Sequence, residues 1–136
     1  MMNKSVKLGI QGRPDVPPRL FDLVPRYIEK YGYKDCLFAG KVNKQWVKYD
    51  GKKFYEITNS ISYGLLKLGV KKGDRIALIA NNAPEWNMID FAIQQVGAIC
   101  IPIYPTISHD DYKYIFNHSE ASIAFFTNKH LYSKVA

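Results

Sequence analysis

Cysteine is scarce in this chain, acidic residues are outnumbered, and no hydrophobic run is long. The two cysteines, Cys36 and Cys100, fall in strand-like stretches with neither metal-ligand nor disulfide spacing. Both are expected as reduced core thiols of a cytosolic protein. No apolar run approaches the roughly 18 residues that read as a membrane span. The opening MMNKSVKLGIQGRP is basic, but Val6, Leu8 and Ile10 alternate with polar residues and Gly9. A secretory signal needs an unbroken apolar core, so a cytoplasmic setting is expected. Peripheral contact with a membrane is left open, with the basic arm as its only visible anchor.

The shortage of acid leaves 19 Lys and Arg against 12 Asp and Glu, a formal charge of +7. Such a balance suits nucleic acid, anionic lipid or an anionic ligand. The lysines are scattered (Lys41, Lys44, Lys48, Lys52, Lys53, Lys71, Lys72), and no RNA-binding signature, zinc finger or helix–turn–helix pattern accompanies them. The charge is therefore read as a solvated surface, with no nucleic-acid partner.

What is present is the material of one domain: 136 residues, 47% of them hydrophobic. Residues 1–19, with Pro14, Pro17 and Pro18, read as an extended lead-in, and 20–136 as the folded part. Leu20, Val24, Tyr27, Ile28 and Tyr31 share a helical face; Asp22 is the expected N-cap, placing Pro25 in the first turn, and Gly32 closes the helix. Cys36–Gly40 and Gln45–Tyr49 read as a β-hairpin around Lys41–Lys44, with Trp46 anchoring one face. From Lys52 to Leu68 the stripe Phe54, Ile57, Ile61, Leu65, Leu68 predicts an amphipathic helix. Burying those five side chains contributes on the order of 10 kcal/mol before ordering entropy is subtracted.

The clearest stretch is Gly69–Thr106. Arg75–Ala80 is nearly all apolar, as a strand covered on both faces can be. Asn82 as cap, Pro84 in the first turn and Glu85 behind it predict a helix to about Val96, with Ile89, Ala92, Ile93 and Val96 inward. Gly97 stops it, and Ala98–Tyr104 reads as another buried strand with Pro102 near its end. Ser108 and Asp111 form the ends of a capping box for a helix over His109–His118, with Tyr112, Ile115 and Phe116 on its apolar face. Ala121–Thr127 is a third buried strand, and Lys129–Val135 starts a further helix. The alternation predicts an α/β fold: a mostly parallel sheet flanked by helices, preceded by a β-hairpin.

Chemistry is harder to find. Gly69–Asp74 is glycine-bounded and basic, but a phosphate loop needs Lys-Ser/Thr after its last glycine and a helix to follow; here Asp74 and a strand follow. His109, Asp110 and Asp111 sit at a helix N-terminus, where the macrodipole accounts for the acids, and His118 lies at the other end. Asn117–His118–Ser119 matches a glycosylation sequon by coincidence. Ser60, Ser62 and Ser108 show no nucleophile elbow. The residues give no catalytic, cofactor-binding or metal-binding site.

Four segments nevertheless resemble a known family in order and spacing. They are Lys48-Tyr49 before Phe54-Tyr55-Glu56-Ile57, Leu68–Leu78 (LGVKKGDRIAL), Asn82–Trp86 (NAPEW) and Val96–Thr106 (VGAICIPIYPT). Together, from about Leu20 to Asn128, they resemble the N-terminal part of AMP-forming adenylate-forming enzymes. The Pro-Glu-Trp and Pro-Ile-Tyr-Pro-Thr wordings look most like the long-chain fatty acyl-CoA synthetase branch. The resemblance implies a partial, doubly wound N-terminal subdomain of an AMP-binding domain. It also implies a parent that uses ATP, magnesium and coenzyme A to convert a fatty acid, through an acyl-adenylate, to acyl-CoA, AMP and pyrophosphate. The family's Ser/Thr/Gly-rich loop ending in Lys, aromatic-Gly-x-Thr-Glu segment, ribose-holding Asp and C-terminal lysine have no match here, so no catalytic residue carries over. The expectation is a truncated scaffold, inactive alone, that joins the remainder of its parent and self-associates as a dimer through exposed apolar surface. Two other readings stay open: a stand-alone binding module sharing the fold, and a small flavodoxin-like nucleotide-binding protein.

Overall fold

The computed structural model describes residues 19–135, so the proposed extended lead-in lies almost wholly outside the described residues. A 3-10 turn at Leu20–Asp22 runs into α1 (Leu23–Tyr31). The hairpin follows as β1 (Phe38–Val42) and β2 (Gln45–Tyr49), then α2 (Gly51–Lys67). The remainder alternates: β3 (Arg75–Ile79), α3 (Pro84–Gln95), β4 (Ile99–Ile103), α4 (His109–Ser119), β5 (Ile123–Phe126) and α5 (Lys129–Val135).

β3, β4 and β5 form a parallel sheet in the spatial order β4-β3-β5. Because side chains alternate along a strand, β3 serves two cores. Ile76 packs with Leu65, Val70, Ile93 and Ala98 under α2 and α3. Ala77 and Ile79 pack with Ile103, Tyr112 and Leu131 under α4 and α5. Helices therefore cover both faces, as the expected doubly wound arrangement requires. A third cluster, Val24, Phe54 and Met88, lies beneath the hairpin and joins α1, α2 and α3.

Local signals set the element ends. The Ser108 hydroxyl accepts from the Asp111 amide while the Asp111 carboxylate accepts from the Ser108 amide, completing the capping box. The Ser108 hydroxyl, which lies 2.6 Å from that carboxylate, and secondly the Ser108 amide hold the Asp111 carboxyl below its ordinary pKa. Gly32 closes α1 with φ 72°, in the left-handed region that glycine enters without steric cost. The hairpin turns at Asn43–Lys44, both left-handed at φ 50° and 66°, the conformation that matches the strands' twist.

Several expectations are corrected. β1 runs Phe38–Val42 rather than Cys36–Gly40, because Lys41 and Val42 extend the ladder up to the two-residue turn. Cys36 thus lies before the strand and is exposed, not a core thiol, whereas Cys100 is half-buried in β4. Asp22 stands at the N-cap position of α1 but caps nothing, since its carboxylate takes the Arg19 guanidinium at 2.7 and 2.9 Å. Leu20 and Tyr31 are exposed, leaving Val24 as the buried contact of that face. Ala83, not Asn82, is the extended residue before α3, with Pro84 at its start.

On α2, Leu68 is 73% exposed and the buried stripe runs Phe54, Thr58, Ser62, Leu65. Thr58 and Ser62 tolerate burial because each hydroxyl donates to the carbonyl one turn back, Thr58 to Phe54 and Ser62 to Thr58. β4 is an edge strand among the described residues, with Ile99 about half exposed, rather than buried on both sides. The Ile99 amide donates to Asp74 on the β3 side, so by alternation Pro102 faces the open edge, where its missing N–H breaks no ladder bond.

Candidate functional site

The connection after β3 leads to α3 on one face of the sheet, and that after β4 leads to α4 on the other. Adjacent strands whose chains diverge in this way leave a crevice at their carboxyl ends, where open α/β sheets bind ligands. A cleft of about 990 Å³ occupies that point. Its floor and sides are Ala80–Pro84, Trp86 and Asn87 after β3 and Pro102–Thr106 at the end of β4 and beyond it, and the hairpin residues Phe38–Lys41 and Trp46 close it.

The hairpin is tied down at three points. The Phe38 ring stacks on Phe54 at 4.5 Å, and the Tyr49 hydroxyl donates to the Glu85 carboxylate at 2.7 Å. That bond to a carboxylate raises the Tyr49 pKa, with burial second. The third tie is the approach of Gly40 to the Pro84 ring, so close that a Cβ at Gly40 would lie 2.7 Å from Pro84 Cδ. Trp46, expected to anchor one face of the hairpin, is 63% exposed at the cleft, with the Lys41 ammonium 5.0 Å from its ring.

The lining is aromatic (Phe38, Trp46, Trp86, Tyr104) and amidic (Asn81, Asn82, Asn87), and it includes no Asp, Glu, His, Cys or Ser. Such walls suit an apolar or amide-bearing group, and Lys41 and Thr106 add one cation and one hydroxyl to them.

The residues weighed as chemical candidates are not brought together at this cleft. In Gly69–Asp74 the amides are spent inside the protein: Val70 donates to Leu65 O, Lys71 to the Asp74 carboxylate, Gly73 to Gly97 O and Asp74 to Lys71 O. Those amides are not free to cradle a phosphate. Asp111 is held in its capping box, while His109 Nδ1 lies 3.3 Å from the Lys134 carbonyl. His118 stacks on Tyr114 with ring centres 5.7 Å apart. The Ser62 hydroxyl lies 2.6 Å from Gln95 Oε1, in a part-buried contact between α2 and α3. The Cys100 thiol is pushed up to about 12, first by burial and then by Asp90, which makes it a poor nucleophile. Among the described residues no group of three or more His, Cys, Asp or Glu side chains is placed to hold a metal. Sequence reasoning missed the cleft itself; its signal was the run of asparagine, proline and aromatic residues after two successive strands.

The sequence profile of the AMP-binding enzyme family matches residues 25–136. Over 62 residues the chain is 42% identical to the long-chain-fatty-acid–CoA ligase FadD15 of Mycobacterium bovis, covering 46% of this chain and 10% of that protein. Fatty acyl-CoA synthetase A of Dictyostelium discoideum is 32% identical over 101 residues, 74% of this chain and 15% of the relative. The solved fatty acid AMP ligase of Legionella pneumophila superposes with a TM-score of 0.71 at 19% identity, over 84% of this chain and 20% of that one, which shows a shared fold. The chain thus spans only 10–15% of the length of these two curated relatives. With the profile covering most of the chain and the doubly wound sheet matching in space, this protein belongs to the AMP-binding enzyme family.

Proposed function

We propose that the chain forms the first sheet layer of an AMP-forming long-chain fatty acid–CoA ligase of the cytoplasm and has no catalysis of its own. The carrying observation is a built cleft at the strand ends with an aromatic and amide lining that includes no carboxylate, imidazole or thiol. In the proposed parent reaction the fatty acid carboxylate attacks the α-phosphorus of ATP and pyrophosphate leaves. The thiol of coenzyme A then attacks the acyl carbon and AMP leaves. Magnesium and other cationic groups would offset the phosphate charge, and no residue of this chain is assigned to hold them. The cleft borders the acyl or coenzyme A channel, its aromatic side against apolar chain and its asparagines against amide or carbonyl groups.

A graft tests this reading. The purified chain is expected to show no fatty-acid-dependent exchange between ATP and pyrophosphate. Residues 20–135, substituted for the matching segment of Dictyostelium fatty acyl-CoA synthetase A, are expected to leave that enzyme able to release AMP. Exchange by the isolated chain overturns its inactivity. A folded but inactive chimera overturns the scaffold role and favours a stand-alone binding module.

Self-association belongs to the same proposal. The Ser122 amide donates to Arg75 on β3, so by alternation the main-chain groups of Ile123 and Phe125 face away from the sheet. Where Pro102 blunts the β4 edge, β5 offers a short uncharged edge that two copies can share about a two-fold axis. Light scattering at high concentration is expected to give the dimer mass, and a clean monomer there removes this part of the proposal.

A further inference from the structure

We propose that the outer flank of α2 seats on an anionic lipid surface. Lys52, Tyr55, Asn59, Tyr63 and Leu66 follow one another in steps of three or four residues, which places them along one side of the helix. That stripe is about 21 Å long. Tyr63 is 71% exposed and Leu66 53%, although the opposite side of the helix is buried against the sheet and α3.

The charges along this stretch lean positive. From Asp50 to Asp74 there are five lysines, Lys52, Lys53, Lys67, Lys71 and Lys72, against three acids, Asp50, Glu56 and Asp74; the Asp50 and Asp74 carboxylates accept from the Lys53 and Lys71 amides. Glu56 offsets Lys52 only weakly, its carboxylate 4.0 Å from that ammonium with both side chains more than half exposed. Tyrosine suits the boundary between acyl chains and water because its ring is apolar and its hydroxyl polar. Lysine stems lie along apolar surface while their ammonium groups reach phosphate. Exposed aromatic and leucine side chains ringed by lysine are the pattern of a helix lying in the membrane interface. No helix of the described residues is long and apolar enough to cross a membrane, so the contact is peripheral. This inference concerns a surface away from the cleft and does not rest on the ligase reading.

The test is sedimentation of the whole chain with vesicles of phosphatidylcholine alone and with phosphatidylglycerol added. Binding is expected only to the anionic vesicles and is expected to weaken as salt is raised. The pair Tyr63→Ser and Leu66→Ser is expected to lower the affinity about ten-fold. Lys52→Gln and Lys67→Gln are each expected to lower it about five-fold. All four side chains are exposed, so melting temperatures should stay close to that of the parent chain. Equal binding to neutral vesicles overturns the proposal, as does affinity that none of these substitutions changes. Loss of binding through Lys4→Gln and Lys7→Gln alone assigns the contact to the N-terminal segment and overturns it too. If the Tyr63–Leu66 pair alters the mass by light scattering but not vesicle binding, the flank is a protein contact and the proposal fails.

Discussion

Phe54→Ala is expected to lower the stability of the chain by about 3–5 kcal/mol, the cost of emptying a fully buried aromatic site. Phe54 is 1% exposed, stacks on Phe38 of β1 at 4.5 Å and meets the edge of Phe91 of α3 at 5.7 Å. The ring therefore joins α2 to both β1 and α3. Its neighbours have little freedom to collapse into the space. Phe38 is fixed by the hairpin ladder, Val24 and Met88 are already close-packed, and Gly51 sits against Ile28. For a domain of this size the loss corresponds to a fall in melting temperature of roughly 10–20 °C. Thermal unfolding followed by circular dichroism measures it. A fall of only a degree or two would mean that the hairpin is not held to the helices through this ring. Leu68→Ala, at the exposed end of the stripe expected from the sequence, is the informative comparison. It should change stability by no more than about half a kcal/mol.

That contrast shows which parts of the fold were legible in the sequence. Signals carried by a few adjacent residues were readable, because their physics is local. Ser108 with Asp111, Pro84 at a helix start, Gly32 and Gly97 beyond helix ends, and the span Lys129–Val135 all stand where the sequence places them. Signals that depend on neighbours were not. Ile-Cys-Ile-Pro-Ile is as apolar as Arg-Ile-Ala-Leu-Ile, yet β4 lies at an edge and β3 at the centre, because the spatial order β4-β3-β5 decides which strand is covered. The buried face of α2 was misplaced for a related reason. Counting apolar residues rejects Thr58 and Ser62, but their hydroxyls are satisfied by the helix's own carbonyls, which lets small polar side chains pack inward. The runs after β3 and β4 mark two walls of the cleft, but its closure was illegible because the third wall comes from the separate hairpin. No local pattern announces that Gly40 lies against Pro84.

The same substitution at two glycines is expected to have opposite signs, and the difference isolates that contact. Gly40 is in β1 with an ordinary strand backbone, so strain of conformation is not the issue. A new Cβ would instead lie 2.7 Å from Pro84 Cδ and 3.1 Å from Cγ. Those atoms belong to a buried ring at the start of α3, which cannot swing aside as a flexible side chain could. The hairpin must move off the helix, at a cost of about 1–3 kcal/mol for Gly40→Ala. Gly64, in the interior of α2, has open space around the corresponding position. Gly64→Ala is therefore expected to add roughly 0.5–1 kcal/mol by removing backbone freedom from the unfolded chain. The chain's two tryptophans, Trp46 and Trp86, both line the cleft, so fluorescence reports on that region alone. Gly40→Ala should shift the emission to longer wavelength and raise quenching by acrylamide, as the hairpin wall separates from the turn after β3. Gly64→Ala should leave both unchanged while raising the melting temperature. If Gly40→Ala lowers stability without altering the fluorescence, the close approach is a packing detail and not the element that shapes the cleft. A change in the fluorescence with Gly40→Ala alone ties the geometry of the site to one missing methyl group.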